Sequence, residues 1–302
     1  MEKPRYIAPW ARCPGCGHPI QIEDKYVIDY FNSRPILCTN CQRSLDWWAT
    51  VCREIEDNFM YNQAFAFIGA RTLLFQLVLR GGQRTIYRFS DYGIPPDAKV
   101  LYVNYTSHTP DGRGYFPVEI HGNVPTRRFF MNEVALYPIP VGSGEPLPDS
   151  EVNVMVSWVP RTADDESWES LVDAFEAYGN ARYPSMIVPA NVAVESAMSR
   201  LLTSYLERFV SKKRTEDFLE NAATYAHQLN VLLPVLGSLN GLPLIPDHVR
   251  GALNRLRDLR NDLAHAGALE QPLDHRGAAE LLCGALFGFH YVRHIQQHLV
   301  RT

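Results

Sequence analysis

DHVRGALNRLRDLRNDLAHAG, residues 247 to 267, decides how the C-terminal part of this chain is read. Pro246 precedes the run, Asp247 is placed to cap a helix N-terminus and Gly267 offers a C-terminal stop, so a helix is predicted over 247–266. At roughly 100° per residue, Val249, Ala252, Leu256, Leu259 and Leu263 share one arc, which must face a core. Arg250, Asn254, Arg257, Asn261 and His265 follow the spacing i, i+4, i+7, i+11, i+15 and share the opposite face. Two arginines, two amides and an imidazole on one stripe are suited to bind phosphate. Arg260 lies at the edge of the apolar arc, where a long cation requires an acceptor or a partner surface. Arg260 and His265 stand roughly 140° apart on an ideal helix. They converge only if the helix ends or bends near His265, or if a second copy supplies the other half.

Working outward, helical periodicity predicts further helices over 167–178, 191–210, 215–236 and 278–299, with Pro184, Pro189, Gly241, Pro243 and Pro246 as breakers. Long helices with short connections imply an antiparallel bundle. Between about 61 and 160 the period is two instead. Runs at 100–105, 116–120 and 152–159, with Thr109-Pro110-Asp111-Gly112 as a turn, predict an antiparallel, sandwich-like sheet. A Pro/Gly-rich run at 137–150 and an acidic stretch holding Asp164, Asp165, Glu166, Glu169, Asp173 and Glu176 put the last boundary near 160–165. Cys13, Cys16, Cys38 and Cys41, in two Cys-x-x-Cys pairs, mark 1–58 as a zinc ribbon with a following helix, so the fold class expected is multidomain α+β, with a β-rich domain over 59–162 and an all-α bundle over 163–302.

Cys13-Pro14-Gly15-Cys16-Gly17 and Cys38-Thr39-Asn40-Cys41 are two Cys-x-x-Cys pairs. Each presents two thiolates from one tight knuckle, and together they complete a tetrahedral shell for zinc. Four protein ligands leave no open position for water, so the metal is expected to be structural. Tyr26-Val27-Ile28-Asp29-Tyr30-Phe31 in the spacer reads as a strand, and residues 11–43 resemble a zinc ribbon. Such a ribbon either docks a protein or nucleic-acid partner or only staples a small subdomain. Trp47-Trp48 either packs the ribbon on its neighbour or stacks on a base, packing being preferred. Cys52 and Cys283, in apolar context, read as buried small residues.

Arg260-Asn261-Asp262-Leu263-Ala264-His265, near the end of the third of four bundle helices, resembles the Arg-x(4 to 6)-His signature of the HEPN superfamily over residues about 185 to 300. The resemblance implies a metal-independent endoribonuclease, requiring no cofactor for catalysis, in which two copies of the signature meet across a homodimer formed through the helical bundle. Arg260 and His265 would be catalytic with Asn261 in support, Arg250, Asn254 and Arg257 would bind substrate, and the partner would be RNA. A toxin or antiviral-defence role comes by the same resemblance. The alternatives are a non-catalytic HEPN-like module that dimerises and holds RNA or a nucleotide, and a scaffold acting through the ribbon and β domain.

The net charge of −4 excludes wholesale phosphate neutralisation, so any contact with nucleic acid is local. No run of eighteen apolar residues and no signal-like N-terminus occurs, so neither membrane nor export is expected and the compartment is read as cytoplasmic. Neither a Gly-x-x-x-x-Gly-Lys loop nor a Gly-x-Ser-x-Gly elbow is present. His290, His294 and His298 recur every fourth residue and read as packing rather than metal ligands. His108 and His121 read as ordinary strand or turn residues, Glu195 as a partner for Arg260 or a surface residue, and Lys212-Lys213-Arg214 as a solvated turn or an RNA guide.

Overall fold

The computed structural model describes residues 4–8, 10–23, 25–57, 63–80, 83–107, 115–121, 124–125, 133–140, 149–160 and 166–301. The elements begin with β1 (Arg5–Ile7), β2 (Trp10–Arg12), β3 (Pro19–Gln21), α1 (Lys25–Phe31), β4 (Ile36–Leu37), β5 (Ser44–Leu45), α2 (Trp47–Asp57) and α3 (Gln63–Ala66). The strands β6 (Arg71–Leu79), β7 (Thr85–Arg88), β8 (Lys99–Ser107), β9 (Tyr115–His121), β10 (Val124–Pro125), β11 (Glu133–Pro140) and β12 (Ser150–Val159) follow. The helices α4 (Glu166–Gly179), α5 (Tyr183–Leu206), α6 (Lys212–Asn221), α7 (Tyr225–His227), α8 (Leu233–Leu239), α9 (Asp247–Ala266) and α10 (His275–Arg301) complete the chain, with a π-helical turn, Gln228–Leu232, joining α7 to α8. The architecture is mixed α and β, with small antiparallel sheets and a helical C-terminal region.

These elements form two compact units, Met1–Pro9 with Gly69–Ala163 and Trp10–Ile68 with Asp164–Thr302. The first contains two four-stranded sheets, in the orders β1-β6-β12-β8 and β10-β9-β11-β7, with every described pairing antiparallel. Alternation places Leu73, Phe75, Leu77 and Leu79 of β6 beside Val152, Val154, Val156 and Trp158 of β12, and Val134 and Leu136 of β11 join the same core. Both sheets thus bury their apolar faces together, each fully buried side chain contributing on the order of 2 kcal/mol. The register between β12 and β8 shifts at Ser157 and Trp158, leaving Leu101 of β8 as the extra residue; the buried Ser157 Oγ meets its need through Thr72 Oγ1 at 2.9 Å. The expected runs at 100–105, 116–120 and 152–159 lie in β8, β9 and β12. His108, the turn at 109–112 and, beyond Pro160, the boundary at 160–165 lie outside the described residues.

The second unit joins the cysteine-bearing segment to the C-terminal helices. Long helices α5, α9 and α10 bury Met186, Ile187, Leu201, Val249, Leu253, Leu256, Leu286 and Phe289 among others. The helix expected from 191 begins at Tyr183, because Pro184 sits in the first turn, where its missing N–H costs nothing, and Pro189 is carried inside the helix. The helix expected over 215–236 is broken after α6: Gln228 Nε2 donates to Ala223 O at 2.8 Å and Leu219 O at 3.5 Å, taking up carbonyls that continuing the helix would have used. The spacer 26–31 is a correction: the expected strand is the helix α1. Val27 and Ile28 favour strand locally, but a helix puts Tyr30 and Phe31 side by side against α10, with ring centroids 5.0 Å from Phe287 and 5.1 Å from Tyr291 respectively. Tertiary burial overrides a weak local preference.

Candidate metal centre and candidate active site

Each cysteine pair is presented by a short hairpin, β2 with β3 and β4 with β5. The two knuckles repeat one backbone pattern. Cys13 N–H donates to His18 O at 2.9 Å and Gly17 N–H to Cys13 O at 2.9 Å; Cys38 N–H donates to Arg43 O at 3.0 Å and Gln42 N–H to Cys38 O at 2.9 Å. Gly17 and Gln42 both take the left-handed conformation that closes the turn, φ +72° and +58°. Cys13 and Cys38 are buried, Cys41 is half-buried and Cys16 is exposed.

The four sulfurs lie within 4.8 Å of one another, with Cys13 Sγ 3.7 Å from Cys41 Sγ and Cys16 Sγ 3.7 Å from Cys38 Sγ. A tetrahedral ion with metal–sulfur bonds of about 2.3 Å requires sulfurs about 3.8 Å apart, so the donor set fits such an ion. The electrostatics agree with thiolate ligation. The His18 backbone N–H, and after it the Asn40 amide, which lies 3.6 Å from Cys16 Sγ, bring the Cys16 thiol down to about 6. Backbone N–H groups of Cys41 and Asn40 lower Cys38. The Arg43 N–H lowers Cys41 too, but burial and the neighbouring thiols outweigh it and raise Cys41 to about 11. A cation among the four sulfurs replaces that thiol crowding with attraction.

The centre is tied to the helices behind it. Glu54 of α2, fully buried, accepts the Arg12 N–H at 2.8 Å, and Arg53 donates to Arg12 O at 2.7 Å. Trp47 is buried with Tyr26 at a ring-centroid distance of 5.0 Å; Trp48 stands edge-on to His248 at 4.8 Å and Phe287 at 5.2 Å. Tyr30 hydroxyl and His248 Nε2 share a hydrogen bond. Both tryptophans therefore pack, and α1 and α2 grip the first turn of α9 through His248, a junction sequence reading missed because its members are far apart in the chain. His290 Nε2 lies 3.4 Å from Phe67 O, and burial, with His298 beside it, lowers the His294 pKa. Among the described residues the four cysteines form the single cluster of metal-ligating groups.

The helix α9 ends as expected at Ala266, closed by Gly267 in the left-handed conformation, φ +71°, whose N–H donates to Leu263 O at 3.1 Å. Its core face differs from expectation. Val249, Ala252, Leu253 and Leu256 are buried, whereas Leu259 and Leu263 are only half-buried. The last turns thus extend past the packed core, and there Arg260 is half-buried, its Nη1 donating to Asn261 Oδ1 at 3.2 Å, while His265 is exposed. No hydrogen bond links Arg260 to His265 among the described residues.

The remaining stripe residues are engaged locally. Arg250 pairs with Asp247 at 2.5 Å and Arg257 with Asp258 at 2.6 Å. Asn254 and Asn230 of the π-helical turn exchange two amide hydrogen bonds of 3.1 Å each, clamping that turn to α9. Glu195 accepts from buried Asn191 at 3.0 Å, and no described contact joins it to Arg260. Burial, the Glu195 charge and, in the opposite sense, Arg257 act on the Tyr225 phenol, whose pKa is raised. Lys212 pairs with Glu216 at 3.7 Å. No helix among the described residues is long and apolar enough to cross a membrane. Searches against family models, curated proteins and solved structures return no match for this chain.

Proposed function

We propose that the chain is a metal-independent endoribonuclease of HEPN type, cutting RNA at a composite site completed by a second copy. The observation that carries the reading is the end of α9: Arg260 and His265 lie on one terminal stretch that projects beyond the core, with the imidazole exposed. Because roughly 140° separates them on the helix, each copy offers Arg260 and His265 in different directions, and a two-fold partner supplies the complement. In that site neutral His265 takes the proton of the RNA 2′-hydroxyl or gives one to the leaving 5′-oxygen, and Arg260 stabilises charge on the crowded phosphate. Asn261, bonded to Arg260, holds the guanidinium. The 2′-oxygen attacks phosphorus as the P–O5′ bond breaks, leaving a 2′,3′-cyclic phosphate and a 5′-hydroxyl; DNA lacks the attacking oxygen. Arg250 and Arg257 would meet phosphate by exchanging their helix-neighbour carboxylates for it, while Asn254 is already spent on Asn230. We further infer that the cysteine centre holds zinc as a structural ion in a reducing, cytoplasmic setting.

A second reading, a dimeric RNA-binding module without cleavage, is favoured by one observation: no described group hydrogen-bonds the His265 ring to fix its tautomer. The test is a short incubation of end-labelled RNA with the protein in magnesium-free buffer containing EDTA, beside His265→Ala and Arg260→Ala. Cleavage by the unmodified chain alone, with cyclic-phosphate ends, is expected, at least a hundredfold above either variant. RNA retained but uncut by all three proteins overturns the nuclease reading in favour of the binding module.

A further inference from the structure

We infer that Cys52 and Cys283 are a disulfide-forming pair, a modification site separate from the metal centre, which joins α2 to α10 when the chain meets a low-molecular-weight disulfide. The inference is independent of the RNA reading.

The geometry comes from the packing of the two helices. Cys283 Sγ, fully buried, lies 3.9 Å from Trp48 O. In α2 that carbonyl belongs to the turn that receives the Cys52 N–H, and a helical Cβ leans back toward its helix N-terminus, so the Cys52 side chain leans over the same turn. The neighbouring Cys52 thiol adds to the burial that raises the Cys283 thiol, and both sulfurs raise the nearby Tyr30 phenol. Neither is among the sulfurs of the metal cluster.

Exposure sets the order of events. Cys52 is half-buried and open to a small reagent; Cys283 is enclosed, and burial raises its thiol well above the usual range, so it stays protonated and inert until a sulfur beside it is activated. The Cys52 thiolate attacks the disulfide R–S–S–R, forming Cys52–S–S–R and releasing one thiolate. Cys283, giving its proton to solvent, then attacks Cys52 Sγ, forming the Cys52–Cys283 bond and releasing the second thiolate. Two protein thiols are oxidised and one small disulfide is reduced to two thiols. The link fastens the helix that leaves the second knuckle to the helix that packs against α9, so the knuckle segment stays docked if its metal is lost.

The metal-loaded full chain is treated with 5,5′-dithiobis(2-nitrobenzoate), the released thionitrobenzoate is followed by absorbance, and the chain is mapped by non-reducing peptide mass spectrometry. The expected product is a peptide pair joined through Cys52 and Cys283, with no nitrobenzoate retained on either and reversal by dithiothreitol. Cys283→Ala should instead trap a stable mixed disulfide on Cys52. The half-buried Cys52→Ser, which leaves the core filled, should leave Cys283 unmodified. A persistent mixed disulfide on Cys52 of the unmodified chain, no reaction at either residue, or linkage of either to a knuckle cysteine overturns the inference.

Discussion

Gly17 and Gln42 occupy equivalent places in the two knuckles, each on the carboxyl side of its Cys-x-x-Cys pair, and both stand at positive φ. A residue with a Cβ costs about 1–2 kcal/mol in that conformation, and glycine costs nothing there. Gly17→Ala should therefore destabilise the knuckle by about 1 kcal/mol or more. Gln42→Gly should leave stability within about 0.5 kcal/mol of the original, since relief of strain offsets the loss of the exposed Gln42 Nε2 bond to Thr39 O. Chemical denaturation of metal-loaded protein measures both, and equal losses would show that backbone strain does not govern the turn. At this scale the clustering of the four cysteines was legible, because a Cys-x-x-Cys turn is a local device that carries its own geometry. The occupation of Asn254 was not: the helical wheel shows which side Asn254 is on, but not that a π-helical turn brings Asn230 to meet it.

Among elements, α10 leaves no room for a side chain against α9 at Gly284 and Gly288. A Cβ on Gly284 would lie 2.6 Å from Ala252 Cβ, and one on Gly288 would lie 2.8 Å from the end of the Leu253 side chain. Ala252 has no rotamer with which to yield, so Gly284→Ala must push the helices apart, whereas Leu253 can turn away. Gly284→Ala should cost about 1–3 kcal/mol and Gly288→Ala less, measured by equilibrium denaturation; the reverse order would mean that the close approach lies elsewhere. The bounds of α9 were legible because Pro246 and Gly267 punctuate an uninterrupted period. Residues 26–31 were misread because the helix that holds them, α1, has only seven residues, too few to show a period, and its partners Phe287 and Tyr291 lie at the other end of the chain. Pro184 was misread as a breaker because a proline in a first turn and one ending a helix look alike in sequence.

At the scale of the whole molecule, the cysteine centre and the candidate active site belong to one compact unit and are connected through α9. The cysteine knuckles position α1 and α2, these hold the first turn of α9 through Tyr30, Trp48 and His248, and the last turn carries His265. Removing the metal should lower the melting temperature of the helical unit as well as the knuckles. The loss should be on the order of 4 kcal/mol relative to metal at a thousandfold excess over its Kd. Far-UV circular dichroism melts with and without chelator measure this, and superimposed helical transitions would show that the knuckles fold separately. Sequence reading found the metal ligands and the Arg-to-His run as unrelated features, since nothing local reveals that they share one unit. The central claim, that two copies complete one RNA-cleaving site, is tested most directly by mixing Arg260→Ala with His265→Ala under subunit exchange and assaying RNA cleavage. Random pairing makes half the dimers mixed, each keeping one Arg260 and one His265 from different copies in the shared cleft, so the account predicts recovery of up to about half of the original rate from two inactive parents. Dimers that exchange and bind RNA but recover no cleavage would contradict it.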